Sequence, residues 1–177
     1  GKVPVLINGD VRAWESLAII EYLAEHFPRK EIWPQAVAAR AHARAISNEM
    51  HGGFLPLRQA CPMNLGKRFK TPDMSDDLKV SVARIEQIWR DARACLGRNA
   101  QSGGPFLFGA FTAADAMFAP VVTRLDTYCI PVSADTRAYM DAILSHPSFL
   151  QWKTEALTEP WTIPDYETGH TATETFR

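Results

Sequence analysis

Two neighbouring residues near the start of the chain have the types and the placing to hold a zwitterion. Glu15 and Ser16 stand where strand-like residues give way to a helical period. Backbone N–H groups at a helix N-terminus, joined by a serine hydroxyl, attract a carboxylate. A glutamate beside them can accept from an ammonium group. An amino-acid head group carries both charges. The same pair is also what a helix start needs for its own sake, with Ser16 as an N-cap and Glu15 as an acid at the positive end of the dipole. Upstream, Pro4 has no N–H, so Val3-Pro4 cannot lie in a fully paired central ladder and, taken alone, marks a strand edge.

Other reactive residue types form no further constellation. Cys61, Cys95 and Cys129 are odd in number, widely spaced and without a CxxC, which argues against a disulfide framework or a zinc site. They are expected to be buried structural thiols in a reducing, cytosolic setting. His26, His42, His51, His146 and His170 make no metal-ligand pattern, so no metal is expected. His51 reads as an ordinary helix histidine. Thr112 and Asp115 fit a capping box in which aspartate replaces the usual Glu or Gln, a structural rather than catalytic pattern. Nineteen basic and 20 acidic side chains leave a net charge of -1, without the basic excess that nucleic acid would select. No apolar run approaches the roughly 18 residues of a membrane helix, and the opening GKVPVLING has no signal-peptide pattern.

The elements that must position these residues follow from periodicity. Residues 3–7 read as a short buried strand, Asn8-Gly9 as a hairpin turn and 11–14 as the returning strand. Leu17, Ile20, Leu23, Ala24 and Phe27 then recur at helical spacing until Pro28. Strands are expected to stop at about residue 14. Pro34 suits a first helical position, and Ala39, Ala43, Ile46, Met50 and Phe54 mark one face of the helix that follows. Gly52-Gly53 and Pro56 predict a bend near 52–56. Residues 62–74 read as a loop. Ser75 caps a helix along Leu78, Val82, Ile85, Trp89, Ala92 and Leu96, closed by Gly97. Thr112 opens a helix kinked at Pro120, and helices near 134–145 and 148–157 follow, the last capped by Ser148. Trp14 and Trp89 read as packing residues. The tail from Thr158 is expected to wrap the surface or be partly disordered. The composition, 46% hydrophobic and 22% charged, is that of a folded chain. The fold class is therefore α+β, mostly α. A two-stranded hairpin with one helix cannot stand alone, so the chain is expected to begin within a mixed domain or to have the remaining sheet supplied elsewhere.

KVPVL, a hairpin turn, ES-x-AI-x-EYL, FP, WP and a helical region holding FTAAD occur in that order. Together they resemble the cytosolic glutathione transferases along nearly the whole chain, with a zeta-like flavour in ESLAIIEYL and HGGFLPL. The resemblance implies that residues 1–28 are the C-terminal ββα portion of a thioredoxin-like, glutathione-binding domain whose first part is lacking. It makes 34–177 the all-helical C-terminal domain. It implies a cis bond at Val3-Pro4 that leaves the Val3 backbone free for a peptide-like ligand. Glu15 and Ser16 would take the γ-glutamyl head group and Lys2 the glycyl carboxylate. A second-substrate pocket falls to Met50, Phe54 and Arg58, while Thr112 and Asp115 cap a core helix. Zeta-class isomerases carry an arginine in that helix; here Thr127 stands there, with Arg124 about one turn earlier. The implied function is a glutathione-dependent transferase acting on a small electrophile, cytoplasmic and homodimeric, with Arg12, Trp14, Arg40 and Arg44 near the dimer contact. The thiolate-activating residue is expected outside this chain. The alternatives are a zeta-like cis–trans isomerase or a non-catalytic binding and dimerisation module.

Overall fold

A computed structural model describes residues 3–94, 103–167, 169 and 171–176. Strand β1 (Val5–Asn8) turns through Gly9 into β2 (Val11–Trp14), with Val5 opposite Trp14 and Asn8 opposite Val11. Gly9 has φ 58°, the left-handed conformation that a tight hairpin turn requires. The expectation of a buried strand fails: Val5 is 52% and Ile7 69% exposed, and Trp14, at 65%, is not a packing residue. The register puts Val5, Ile7 and Trp14 on one face, and no second layer covers that face among the described residues.

Helix α1 (Ser16–His26) follows directly and ends at Phe27, before a 3-10 turn at Pro28–Lys30. Helix α2 (Val37–Gly52) starts later than Pro34 suggested, because Ala36 is its N-cap. Pro34 and Gln35 instead offer carbonyls to the Arg40 guanidinium at 3.2 and 2.6 Å. Ala39, Ala43, Ile46, Ser47 and Met50 form the buried stripe of α2, and its small residues let the backbone come close to α5 (Ala113–Thr127). Arg44 fastens α1 to α2 by a two-pronged bond to Glu21 at 2.8 and 2.6 Å.

The predicted bend is present as a break. A Cβ at Gly53 would lie 2.5 Å from the Glu49 carbonyl oxygen, so only glycine fits there. Phe54 takes φ 59°, and α3 (Leu55–Ala60) restarts with Pro56 in its first turn.

The stretch after α3 is not wholly loop, and residues 34–177 are not all helical. Strand β3 (Lys67–Phe69) pairs antiparallel with β4 (Ala172–Thr175), about a hundred residues away in the chain. Glu167 strengthens this closure by accepting from Lys67 and, at 3.1 Å, from Asn64. Part of the tail is thus ordered as an edge strand rather than a loose wrap.

Helix α4 (Asp76–Ala92) is capped as expected, the Ser75 hydroxyl accepting from the Leu78 N–H at 3.3 Å. Its expected end at Gly97 lies outside the described residues. The α4 stripe buries Trp89, whose ring meets Phe118 at 5.6 Å and Tyr139 at 4.7 Å. Helix α6 (Ala134–Leu144) supplies Tyr139. Helix α7 (Pro147–Thr158) is capped by His146, whose Nδ1 accepts from the Ser148 N–H, and not by Ser148. Phe111, before the capping box, finds its partner in that same histidine, ring on ring at 4.1 Å. Among the described residues no helix is long and apolar enough to cross a membrane.

Arg84 of α4 binds Glu49 of α2 through both guanidinium prongs, at 2.6 and 2.8 Å, and holds the Glu49 carboxyl below the ordinary glutamate range. A carboxyl depressed in the folded state lends stability above its unfolded value, about pH 4.3, and loses it as pH falls through the folded value. Both side chains remain partly exposed, so the effect is small. Arg84→Met should cost less than about 1 kcal/mol at pH 7, and the difference should vanish at pH 3. Urea titration at the two pH values reads this, and an undiminished difference in acid would contradict it.

Candidate functional site

Register brings the predicted ligand-holding residues to one end of the hairpin. Because Val5 lies opposite Trp14, the next residues outward are Pro4 on one strand and Glu15 on the other. The Val3-Pro4 bond is cis. Val3 is 92% exposed, and among the described residues β1 pairs along one edge only. Lys2 lies outside the described residues.

Glu15 is the N-cap of α1 and holds an uncommon backbone, φ 73° and ψ 127°. Its carbonyl accepts the first helical bond, from Ile19 N–H at 3.0 Å. No side chain caps α1, which leaves its leading N–H groups beside the half-buried Ser16 for an incoming acceptor. A non-glycine residue in so sparsely populated a conformation costs on the order of 1–3 kcal/mol and persists where its surroundings over-determine it.

The Glu15 carboxylate has a partner that sequence reading missed. Its Oε2 lies 3.1 Å from Nε2 of His51, near the end of α2. Thirty-six residues separate the two, and no periodicity or motif links them. His51 is therefore not an unattached helix histidine: it reaches from the end of α2 to the glutamate at the hairpin end.

The residues predicted for the second substrate are divided. Met50 is buried in the core and Phe54 is half-buried at the helix break. Arg58 donates to the Met50 carbonyl at 2.7 Å, to Gly53 at 3.0 Å and to His51 at 3.5 Å. Its guanidinium thus caps the C-terminus of α2 from the next helix. Arg58→Ala should lower stability by about 1–2 kcal/mol, and lysine should recover less than half, since one ammonium cannot span these carbonyls with the same geometry. Unchanged urea midpoints would contradict the assignment.

Further along, Thr127 donates to the Asn64 carbonyl at 2.9 Å. Arg124 reaches the Pro120 carbonyl at 3.2 Å and the Met63 sulfur at 3.7 Å, with burial and the nearby Arg58 holding its guanidinium below the usual range. Near Met63 a cavity of about 220 Å3 opens against the tail, walled by Leu65, Trp152, Trp161, Ile163 and Tyr166. Nothing in the sequence pointed to it, because its walls come from segments about a hundred residues apart.

The thiols separate as well. Cys61 is buried, and burial pushes it up to about 12, which suppresses the thiolate needed for nucleophilic work. Cys129 is exposed at φ 49°, against the expectation of a buried residue. Cys95 lies outside the described residues. Among the described residues no group of three or more His, Cys, Asp or Glu could hold a metal ion.

The helical framework after α3 matches the family model "Glutathione S-transferase, C-terminal domain" over residues 64–152. The chain belongs to this family. It is 39% identical over 93 residues to "Glutathione S-transferase 1" of Dianthus caryophyllus, covering 50% of this chain and 42% of that protein. It is 46% identical over 56 residues to a "Probable maleylacetoacetate isomerase" of Caenorhabditis elegans, covering 32% of this chain and 26% of that one. The chain thus matches less than half the length of each of these two curated relatives. A Burkholderia glutathione transferase homologue, solved with bound glutathione, superposes with a TM-score of 0.61 at 24% identity, over 87% of this chain and 72% of that one. The expected transferase fold is upheld in its mostly helical architecture with a small β part.

Proposed function

We propose that this chain binds glutathione at the open end of the hairpin and serves its transfer to a small electrophile. The observation that carries the reading is the meeting, at one place, of Val3-Pro4, Glu15 and the uncapped start of α1 at Ser16. Family membership supports it. The α1 N–H groups and the Ser16 hydroxyl hold the γ-glutamyl carboxylate, and Glu15 accepts from the neighbouring ammonium. The Val3 backbone pairs with the cysteinyl unit, and Lys2 meets the glycyl carboxylate. In this reading 1–28 is the glutathione-binding part and 34–177 carries the second substrate, against the half-buried Phe54 at the α2 end, Met50 being buried in the core. Arg58 lines that region while spent on helix carbonyls.

A thiol of ordinary pKa near 8.5 must be lowered to react at neutral pH. No residue of this chain is assigned that role. The protein acts in the cytoplasm as a homodimer. Of the expected contact residues, Arg12 and Trp14 are exposed, whereas Arg40 and Arg44 are held within the chain.

Retention on glutathione-agarose together with conjugation of a chloronitrobenzene is the expected result. Retention without turnover would leave a binding and dimerisation module, and failure to be retained would refute the reading. The likeness to the nematode protein favours a second reaction, cis–trans isomerisation of a maleyl keto acid. Direct turnover of such an acid separates it from conjugation.

A further inference from the structure

We infer that His51 is a positioning residue for the head-group site: it fixes one oxygen of Glu15 so that the other is presented to the ligand's ammonium. The inference rests on the glutathione reading above. Glu15 is half exposed and carries a long side chain that, untethered, samples many rotamers and must surrender them when it binds. The 3.1 Å contact between His51 Nε2 and Oε2 removes much of that freedom in advance and leaves Oε1 for a second donor.

The base of the imidazole is itself held. Arg58 clamps the carbonyls of Met50, His51 and Gly53, so the end of α2 keeps its shape. The spacing of α1 and α2 does not depend on His51. Arg44 and Glu21 set it with two short bonds elsewhere on the same pair of helices. An exposed histidine–glutamate contact adds little to stability. What it supplies is orientation, at a glutamate whose backbone is already constrained at φ 73°.

The test is calorimetric titration with S-methylglutathione and with its analogue lacking the α-ammonium, a glutaryl group replacing γ-glutamyl. His51→Ala should bind S-methylglutathione about 5- to 10-fold more weakly than the parent, with its melting temperature unchanged. His51→Gln keeps an N–H donor and should bind within about twofold of the parent. The deaminated analogue should bind parent and His51→Ala alike, because it does not use the Glu15 carboxylate. Equal affinity of parent and His51→Ala for S-methylglutathione would overturn the inference, and so would equal losses for both ligands. If the parent bound neither ligand, the glutathione reading itself would fall, which is a distinguishable result.

Discussion

Asp115→Ala should lower the stability of the fold by about 3–5 kcal/mol, and Asp115→Asn should do nearly as much damage. The carboxylate is fully buried and accepts four hydrogen bonds. Oδ1 takes the Leu107 N–H at 3.0 Å and the Tyr139 hydroxyl at 3.2 Å. Oδ2 takes the Thr112 N–H at 2.8 Å and its hydroxyl at 3.1 Å, within the reciprocal capping box. Burial pushes the Asp115 carboxyl up, while those four donors pull it down. The donors are what make a buried acid tolerable here. Alanine strands two backbone N–H groups inside the protein. Asparagine presents an NH2 to donors that need an acceptor, so it does not rescue. Thr112→Ala, which removes only the hydroxyl bond and keeps the other three, should cost only about 1 kcal/mol. Urea unfolding of the three variants reads the ranking, and a stable Asp115→Asn would contradict the bond assignment.

Glu15→Gln should weaken glutathione binding about 10- to 100-fold, the value of a charge-assisted bond lost to an ammonium group. Ser16→Ala should cost about tenfold, through its bond to the carboxylate of the same head group. The double variant should lose less than the sum, because both residues grip one group of atoms. A control comes from the backbone. Glu15 has φ 73°, so Glu15→Gly removes the carboxylate and relieves the strained conformation at once. Its stability should stay within about 1 kcal/mol of the parent while its affinity falls as far as that of Glu15→Gln. Calorimetric titration beside thermal melts separates the two. Affinity that tracked stability would show that Glu15 shapes the turn and does not meet the ligand.

Features written in neighbouring residues were readable in the sequence. Asn8-Gly9 forecast the hairpin, Ser75 the start of α4, Thr112 and Asp115 the capping box, and Gly52-Gly53 with Pro56 the break after α2. Each depends on interactions within a few residues. What escaped depends on partners far along the chain. The β3–β4 pair joins two short strands across about a hundred residues, and neither has a pattern of its own. Trp14 carried the composition of a core residue, yet faces outward because no layer covers its side of the hairpin among the described residues. In the candidate site the same division holds. That Val3-Pro4, Glu15 and Ser16 meet at one end of the hairpin follows from local order. The His51 contact does not, since it exists only once α2 is laid against the hairpin. Arg58 read as a second-substrate residue because nothing in the sequence shows that the two-residue break after α2 turns the Met50, His51 and Gly53 carbonyls toward its guanidinium.

A crystal of the protein soaked in glutathione tests the central claim most directly. The account predicts the γ-glutamyl carboxylate within hydrogen-bond reach of the Ser16 hydroxyl and the first N–H groups of α1, its ammonium at Glu15, and the peptide running along Val3. Glutathione found ordered at any other place, with the hairpin end left empty, would contradict it.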